Sequence, residues 1–550
     1  MKVINFCMLI LLLFSCQENT KENKKNTADL IISASLVYRV DSSFSTCEAV
    51  VVKAGKILDY GSLNDMQNLY QAREVIHADN QFVYPGFIDA HCHFLGYGLS
   101  LQQVDLSGTK SFDEVISKII EFDSIYNPKW ITGRGWDHSD WENNAFPDKT
   151  ILDSLFPDKA VAVRRVDGHA LLANQKALDL AGITVKSKFN GGTIVINNGE
   201  LTGVLIDGPA DYLLSTIPKA DRIMKEKALL MAQENCLKVG LTSFHDAGLD
   251  KEDVLKIKEM CDNNELHFYA NLILTDNEEN FNYFLAKGPV MTEKVHINAF
   301  KFYGDGALGS WGACLLKPYS DVIEQLHYGK MLRPHSYYKK WAKELYEKGF
   351  QMCTHCIGDS ANRAMLNIYT SVLPEDNDRR WRIEHAQVIS PEDFEYFGTY
   401  KIIPSVQPTH ATSDMKWAFK RLGRVRLKGA YAYKDLLHEN GWLALGTDFP
   451  VEDISPIKTF YAAVVRKSLN KALTEAFQTE NALSRDEALK GITIWAAKSG
   501  FMENKIGSIE KGKAANFTIL DTDIMSCDEE IILSAKVQFT IIDGQAVYKN

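Results

Sequence analysis

PGFIDAHCHF, Pro85 to Phe94, is the stretch on which the reading of this chain turns. An apolar run through Phe87 and Ile88 leads into His91 and His93, two positions apart. Residues two apart on a strand face the same side, so both imidazoles would project from one face at the strand's end. With 14 histidines in 550 residues, chance alone yields an H-x-H roughly one time in three. The pair therefore gains meaning only from what the rest of the chain sets beside it.

Outward from that stretch the sequence alternates strand-like and helix-like patterns. Eight candidate strands are GFIDAHCHF, GLTSFHDAG, LHFYANLIL, NAFKFYGDG, FQMCTHCIGD, RWRIEHAQ, KIIPSVQPTH and WLALGTDFP. Amphipathic segments such as RIMKEKALLMAQENCLKVG, YYKKWAKELYEKG and DSANRAMLNIYTSVL separate most of them. Eight such units predict an α/β fold, a (β/α)8 TIM-like barrel over residues 86–500. An insertion of about residues 95–217 separates the first strand from the second. It carries a capped helix, with Ser111 three residues before Glu114, and a hairpin turning at Asn198-Gly199. Insertions at the C-terminal ends of barrel strands cover the active face, which makes this one a lid or substrate wall by expectation.

Both chain ends read differently. ADLIISASLVYRV and EAVVVKAGKILDYG, within 29–85, alternate apolar and polar residues, as do ANFTILD and KVQFTIIDGQAVYKN, within 501–550. Chain termini often lie close together, so the two stretches predict a small β-sandwich formed by both chain ends.

The first residues stand apart from the fold. Lys2 precedes an apolar run from Val3 to Phe14, shorter than the about 20 residues of a bilayer-spanning helix. A positive start, a short apolar run and small or polar residues after it describe an export signal over 1–16. Leu13-Phe14-Ser15-Cys16 resembles a bacterial lipoprotein cleavage box, in which Cys16 is acylated; the bulk of Phe14 leaves ordinary secretion open. Polar residues follow, and 17–28 reads as a flexible tether. The expectation is an exported, periplasmic protein held to the membrane through lipid on Cys16.

Composition narrows the partners. A chain that is 45% hydrophobic and 24% charged has the makeup of a globular protein with a large core. A net charge of −10 without a basic stripe argues against nucleic acid. Setting aside Cys7 and Cys16, eight of the ten cysteines remain, and the closest pair, Cys353 and Cys356, has no second pair nearby. Structural thiols fit that scatter better than a zinc or redox motif.

Barrel enzymes carry their chemistry at the C-terminal strand ends. Ligand-type residues fall there: His91 and His93 on the first strand, His355 on the fifth, His385 on the sixth, Asp448 on the eighth. Imidazoles and a carboxylate converging there suit Zn2+ and similar divalent ions. Asp448 follows a Gly-Thr and precedes Phe-Pro, so turn capping is its alternative to acting as a base beside the metal.

PGFIDAHCHF, FKFYGDGALGS, THCIGD, RIEHAQ, GTDFP and SIEKGKAANFTILD, in that order, resemble the amidohydrolase superfamily, and most closely its family 3 branch, which includes N-substituted formamide deformylases. The resemblance runs from about Asp29 to the end. It implies a metal-dependent hydrolase that cleaves a non-peptide C–N bond (amide, formamide or N-acyl) of a small-molecule substrate. It also implies metal binding by His91, His93, His355 and His385, with Asp448 as the proton-transfer residue, and carbamylation of Lys301 by CO2 to bridge two ions. One or two divalent ions, zinc foremost, are the implied cofactors. A strand lysine is usually solvated, but one pointing into a barrel is desolvated, and only the neutral amine reacts with CO2. Asp305 would either reach the site or cap a turn, and Asp246 is a candidate for orienting a ligating imidazole. His169 in RRVDGHALLANQKAL and His410 in SVQPTHATSD match recurrent family segments and are candidate substrate contacts. The family's usual Gly-Ser-Arg is Gly309-Ser310-Trp311 here, which removes a possible anion-binding guanidinium and makes Trp311 a third candidate. Asn516, where an aspartate is common, lies in the expected sandwich, away from the chemistry.

The same constellation would serve a deaminase or a cyclic-amide hydrolase, since a fold does not fix a substrate. A lipid-anchored binding protein without activity is the alternative outside enzymes, and the intact ligand set speaks against it. A carbohydrate-active barrel would present two carboxylates flanking a sugar, which imidazole-rich strand ends do not.

Overall fold

The eight candidate strands form one parallel sheet in the computed structural model, which describes residues 25–142, 145–166, 168–189, 191–322, 326–469 and 475–550. They are β1 (Phe87–Cys92), β2 (Leu241–Leu249), β3 (Tyr269–Thr275), β4 (Val295–Tyr303), β5 (Gln351–Cys356), β6 (Arg382–His385), β7 (Ile403–Val406) and β8 (Ala444–Leu445). Each pairs with the next in chain order. The last and first come together just past their ends, where the Asp448 N–H donates to the His91 carbonyl and the His93 N–H to the Phe449 carbonyl, each at 2.8 Å. The result is a nearly closed barrel.

Period-two alternation explains why these segments form it. Phe300 and Phe302 of β4 point into the helix layer, as do Ile88, Ala90 and Cys92 of β1. The intervening Lys301, Asp89 and His91 are buried on the inner side. The three amphipathic segments become helices Arg222–Lys238, His335–Lys348 and Asp359–Thr370, which supply that outer layer. Cys353 lies in a small cluster with Ile273 and Ala299, and Cys356 in the main core, so the pair does not converge.

The chain ends share a seven-stranded sheet, in which strand Tyr70–Pro85 runs parallel to Asn26–Tyr38 and antiparallel to Phe517–Leu520. A bridge between Lys56 and Ala514 brings the opposite edge round the same core, which includes Ile32, Val50, Phe517 and Ile541. Strand Asn26–Tyr38 corrects the expected tether of 17–28: residues 26–28 are strand, because Ala28 packs with Ile31, Ala49 and Met66. The expected signal at 1–16, Cys16 with it, lies outside the described residues. A single residue, Gly86, joins this sheet to β1, and a Cβ there would stand 2.2 Å from the Thr242 hydroxyl.

The insertion is a folded layer with its own six-stranded sheet. Ser111 caps helix Phe112–Tyr126 by accepting from the Glu114 N–H, and strands Thr193–Asn197 and Glu200–Ile206 pair around the Asn198-Gly199 turn. Its two cores lie on opposite faces of the sheet, Val161 and Val163 on one and Ala160 and Ala162 on the other. Among the described residues no helix is long and apolar enough to cross a membrane.

Candidate metal centre

His91 enters the barrel from β1 fully buried, with Nδ1 2.5 Å from the Glu384 carboxylate of β6. An acceptor at that distance places the proton on Nδ1 and frees the Nε2 lone pair. Nε2 faces Lys301 Nζ at 3.1 Å and Asp448 Oδ1 at 3.6 Å. His93 precedes helix Phe94–Ser100, and its Nε2 lies 3.1 Å from the same Asp448 oxygen.

His385 follows Glu384 directly, and on a regular strand the two would face opposite sides. A left-handed backbone (φ 71° at His385, 42° at Ala386) breaks the alternation as β6 ends. The His385 ring then lies 4.9 Å from that of His91 and 4.5 Å from that of His355. Its Nδ1 is 2.7 Å from the Gln407 side-chain oxygen, which again leaves Nε2 for a ligand. His410, in helix Pro408–Asp414, has its Nε2 3.8 Å from the second Asp448 oxygen.

Asp448 is thus common to two groups with metal-ligand spacing, His91–His93–Asp448 and His385–His410–Asp448, each with its ligand atoms within 4.8 Å of one another. Lys301 and His355 lie alongside. His355 Nε2, His410 Nε2 and Asp448 Oδ1 are buried without a hydrogen-bond partner. Leaving such an atom unpaired costs about 1–3 kcal/mol, and a cation held by His385, His410 and Asp448 would satisfy two of them. Mixed nitrogen and oxygen donors fit zinc and similar divalent ions.

Protonation states agree with ligation. Burial, reinforced by the nearby Lys301 charge, pushes His91 down to about 4 and His355 down to about 3. Burial and the neighbouring His355 hold His385 well below its ordinary value. These imidazoles are neutral, the form that binds metal. Burial works against ionised Asp448, but contact with His93 and the proximity of His91, His385 and His410 hold it well below the usual carboxylate range. Burial lowers the Lys301 ammonium against the opposing pull of Glu384 and Asp448.

The other expectations part company here. His410, expected as a substrate contact, has its ring nitrogen within metal-ligand spacing of His385 and Asp448. His169 is exposed on the insertion, with Nδ1 2.8 Å from Asp207 of the same layer. Trp311 lies beneath a guanidinium after all: Arg421, from helix Ala418–Leu427, stacks 3.8 Å over its ring. That guanidinium pairs with Asp321 and donates to the Gly309 carbonyl at 2.9 Å, so its charge is already engaged. Asp305 pins a turn, accepting the backbone N–H groups of Cys314, Ile357 and Gly358 at 2.7–2.9 Å. Asp246 accepts the Leu95 N–H at 3.0 Å, so it fixes the backbone after His93 and not an imidazole.

Sequence reading passed over Glu384 and Gln407, although both sit inside quoted motifs. Their signal was position: Glu384 directly precedes His385 on β6, and Gln407 follows the end of β7. Asp89 was missed too; its carboxylate accepts from the Thr447 hydroxyl at 2.6 Å and ties β1 to the segment bearing Asp448.

With this geometry in hand, similarity to known proteins is specific. The family described as "Amidohydrolase family" matches residues 74–548. The chain is 32% identical to "Protein LONG AFTER FAR-RED 3" of Arabidopsis thaliana, over 95% of this chain and 92% of that one. It is 25% identical to "N-substituted formamide deformylase" of Arthrobacter pascens, over 95% and 98% of the two chains. An uncharacterized metal-dependent hydrolase from Pyrococcus horikoshii OT3 superposes with a TM-score of 0.75 at 25% identity, covering 91% of this chain and 99% of that one.

Proposed function

The chain belongs to the amidohydrolase family and is a metal-dependent hydrolase, and from that premise we propose that it cleaves a non-peptide C–N bond (amide, formamide or N-acyl) of a small molecule. The observation that carries this reading is Asp448, one carboxylate shared between two histidine groups.

A divalent ion, zinc by donor type, supplies Lewis acidity: it brings the ionisation of water down to about pH 7 and polarises a carbonyl. His91, His93, His385 and His410 would hold it together with Asp448, and His355 adds a buried, unpartnered nitrogen nearby. Lys301, desolvated inside the barrel, would add its amine nitrogen to CO2 with loss of a proton, giving a carbamate whose oxygens would serve as further metal ligands. Asp448 is ionised and has an unpartnered oxygen. It takes a proton from the attacking water and returns it to the departing nitrogen, so that one group serves as general base and then general acid.

Asp448→Asn should lower turnover by about 10²–10⁴-fold while the imidazoles still hold metal. A fully active variant sinks the assignment. The substrate reading is tested with metal-loaded protein against N-formyl and N-acyl amines, following released amine. Turnover confined to aminated rings, with ammonia released, would move the reading to a deaminase. The export reading rests on residues 1–16 alone, and fatty-acid labelling that persists in Cys16→Ser would remove the lipid anchor.

A further inference from the structure

The interior of a (β/α)8 barrel is ordinarily filled with branched apolar side chains. Here, directly beneath the histidines, it holds a fully buried guanidinium, Arg382. Its Nη2 donates to the Ala90 carbonyl of β1 at 2.6 Å, to the Ser405 hydroxyl of β7 at 2.9 Å and to Glu384 Oε2 at 3.0 Å. Nη1 lies 3.1 Å from His245 Nδ1 of β2, and Nε lies 2.7 Å from Glu384 Oε1. One planar group thereby ties four strands together from the barrel axis. Glu384 carries the connection upward to His91 Nδ1.

We propose that Arg382 is a positioning residue that, through Glu384, sets the metal affinity of the site by locking His91 with its proton on Nδ1 and Nε2 turned to the metal. Three features carry the inference. The column is continuous, from the His245–Arg382 contact through Glu384 to His91, and each side chain in it is buried. Arginine stays charged under all ordinary conditions, so Glu384 keeps a permanent counter-ion beneath His91. Glu384 also has little freedom, because Oε2 is hydrogen-bonded to Nη2 and to His91 Nδ1 while Oε1 stands in ion-pair contact with Nε at 2.7 Å. A lone carboxylate in the same place could rotate away from His91, and that would release the imidazole tautomer.

The inference rests on His91 being a metal ligand, and the experiment separates the two. Zn2+ affinity of the metal-stripped full chain is measured by chelator competition, alongside thermal unfolding of the same metal-free samples. Wild type that binds no Zn2+ overturns the metal reading itself. If wild type binds, Glu384→Gln should bind about 10–100-fold more weakly at temperatures where the metal-free variant remains folded. Arg382→Lys keeps the charge but not the fork and should fall between wild type and Glu384→Gln. Adding Arg382→Met to Glu384→Gln should cost no further affinity, because Arg382 acts through the carboxylate. A purely structural ion pair would instead lower the unfolding temperature and leave Zn2+ affinity within about twofold of wild type in Glu384→Gln and Arg382→Lys; that result overturns the proposal.

Discussion

The insertion sheet and the barrel sheet are built by the same alternation and use it for opposite ends. In the insertion, Leu171 packs into one apolar core and Leu172 into the other, so both faces of the strand go to packing. In the barrel, Phe300 and Phe302 pack outward while Lys301 faces inward among His91, Glu384 and Asp448. Among its described residues the insertion leaves one buried side-chain atom unpartnered, Trp141 Nε1. The barrel's inner face holds unpartnered buried atoms at His355, His410 and Asp448, and those are what a ligand completes. Changes to the first sheet should therefore alter stability alone, and changes to the second should alter binding.

Removing the metal gives the largest contrast. Chelation should abolish turnover and lower the melting temperature, since an ion bound at 100 times its dissociation constant contributes about 2.7 kcal/mol. Leu172→Ala should destabilise by about 2–5 kcal/mol and yet leave the metal content of folded molecules intact. Calorimetry with metal analysis checks both. A Leu172→Ala protein that folds but has lost its metal would break the comparison.

Much of this was legible before any coordinates, for reasons specific to each residue. His91, His93 and His355 obey strand periodicity, so their inward direction follows from counting. His385 does not, and it reaches the site only through a positive φ that no spacing rule anticipates. Glu384 was overlooked because the residue beside a ligand should face away; it is His385 that turns, not Glu384. Trp311 was read as the loss of a charge, but the guanidinium over it comes from Arg421, 110 residues further along. Such a replacement across loops leaves no local trace. His169 showed the reverse limit: a motif match gave no information on which layer its partner, Asp207, would occupy.

Lys301 tests whether the barrel's inner face holds one ion or two. Lys301→Met keeps the stem and removes the amine, so about one equivalent of bound metal should be lost if a carbamate bridges a pair. Metal counting on protein prepared with and without bicarbonate gives the answer. Two ions retained in Lys301→Met would remove the bridging role.

The smallest expected effect lies at the rim, where Tyr303 shares the inward face of β4 with Lys301. The residue is 38% exposed, and its ring covers Lys301 Nζ at 5.2 Å and lies 5.7 Å from the His355 ring. A Cβ at Gly248 would come within 3.4 Å of its hydroxyl, so the missing side chain leaves that hydroxyl an open approach. Among the described residues the hydroxyl has no hydrogen-bond partner, whereas Glu384 Oε2 below it meets both Arg382 and His91. Tyr303→Phe removes one donor worth about 0.5–1.5 kcal/mol, which corresponds to a rise in KM of roughly 2–10-fold with Zn2+ affinity unchanged. Loss of metal in Tyr303→Phe would instead place the rim and the metal ligands in one cooperative unit, and the division between binding surface and metal cage would then lie elsewhere on β4.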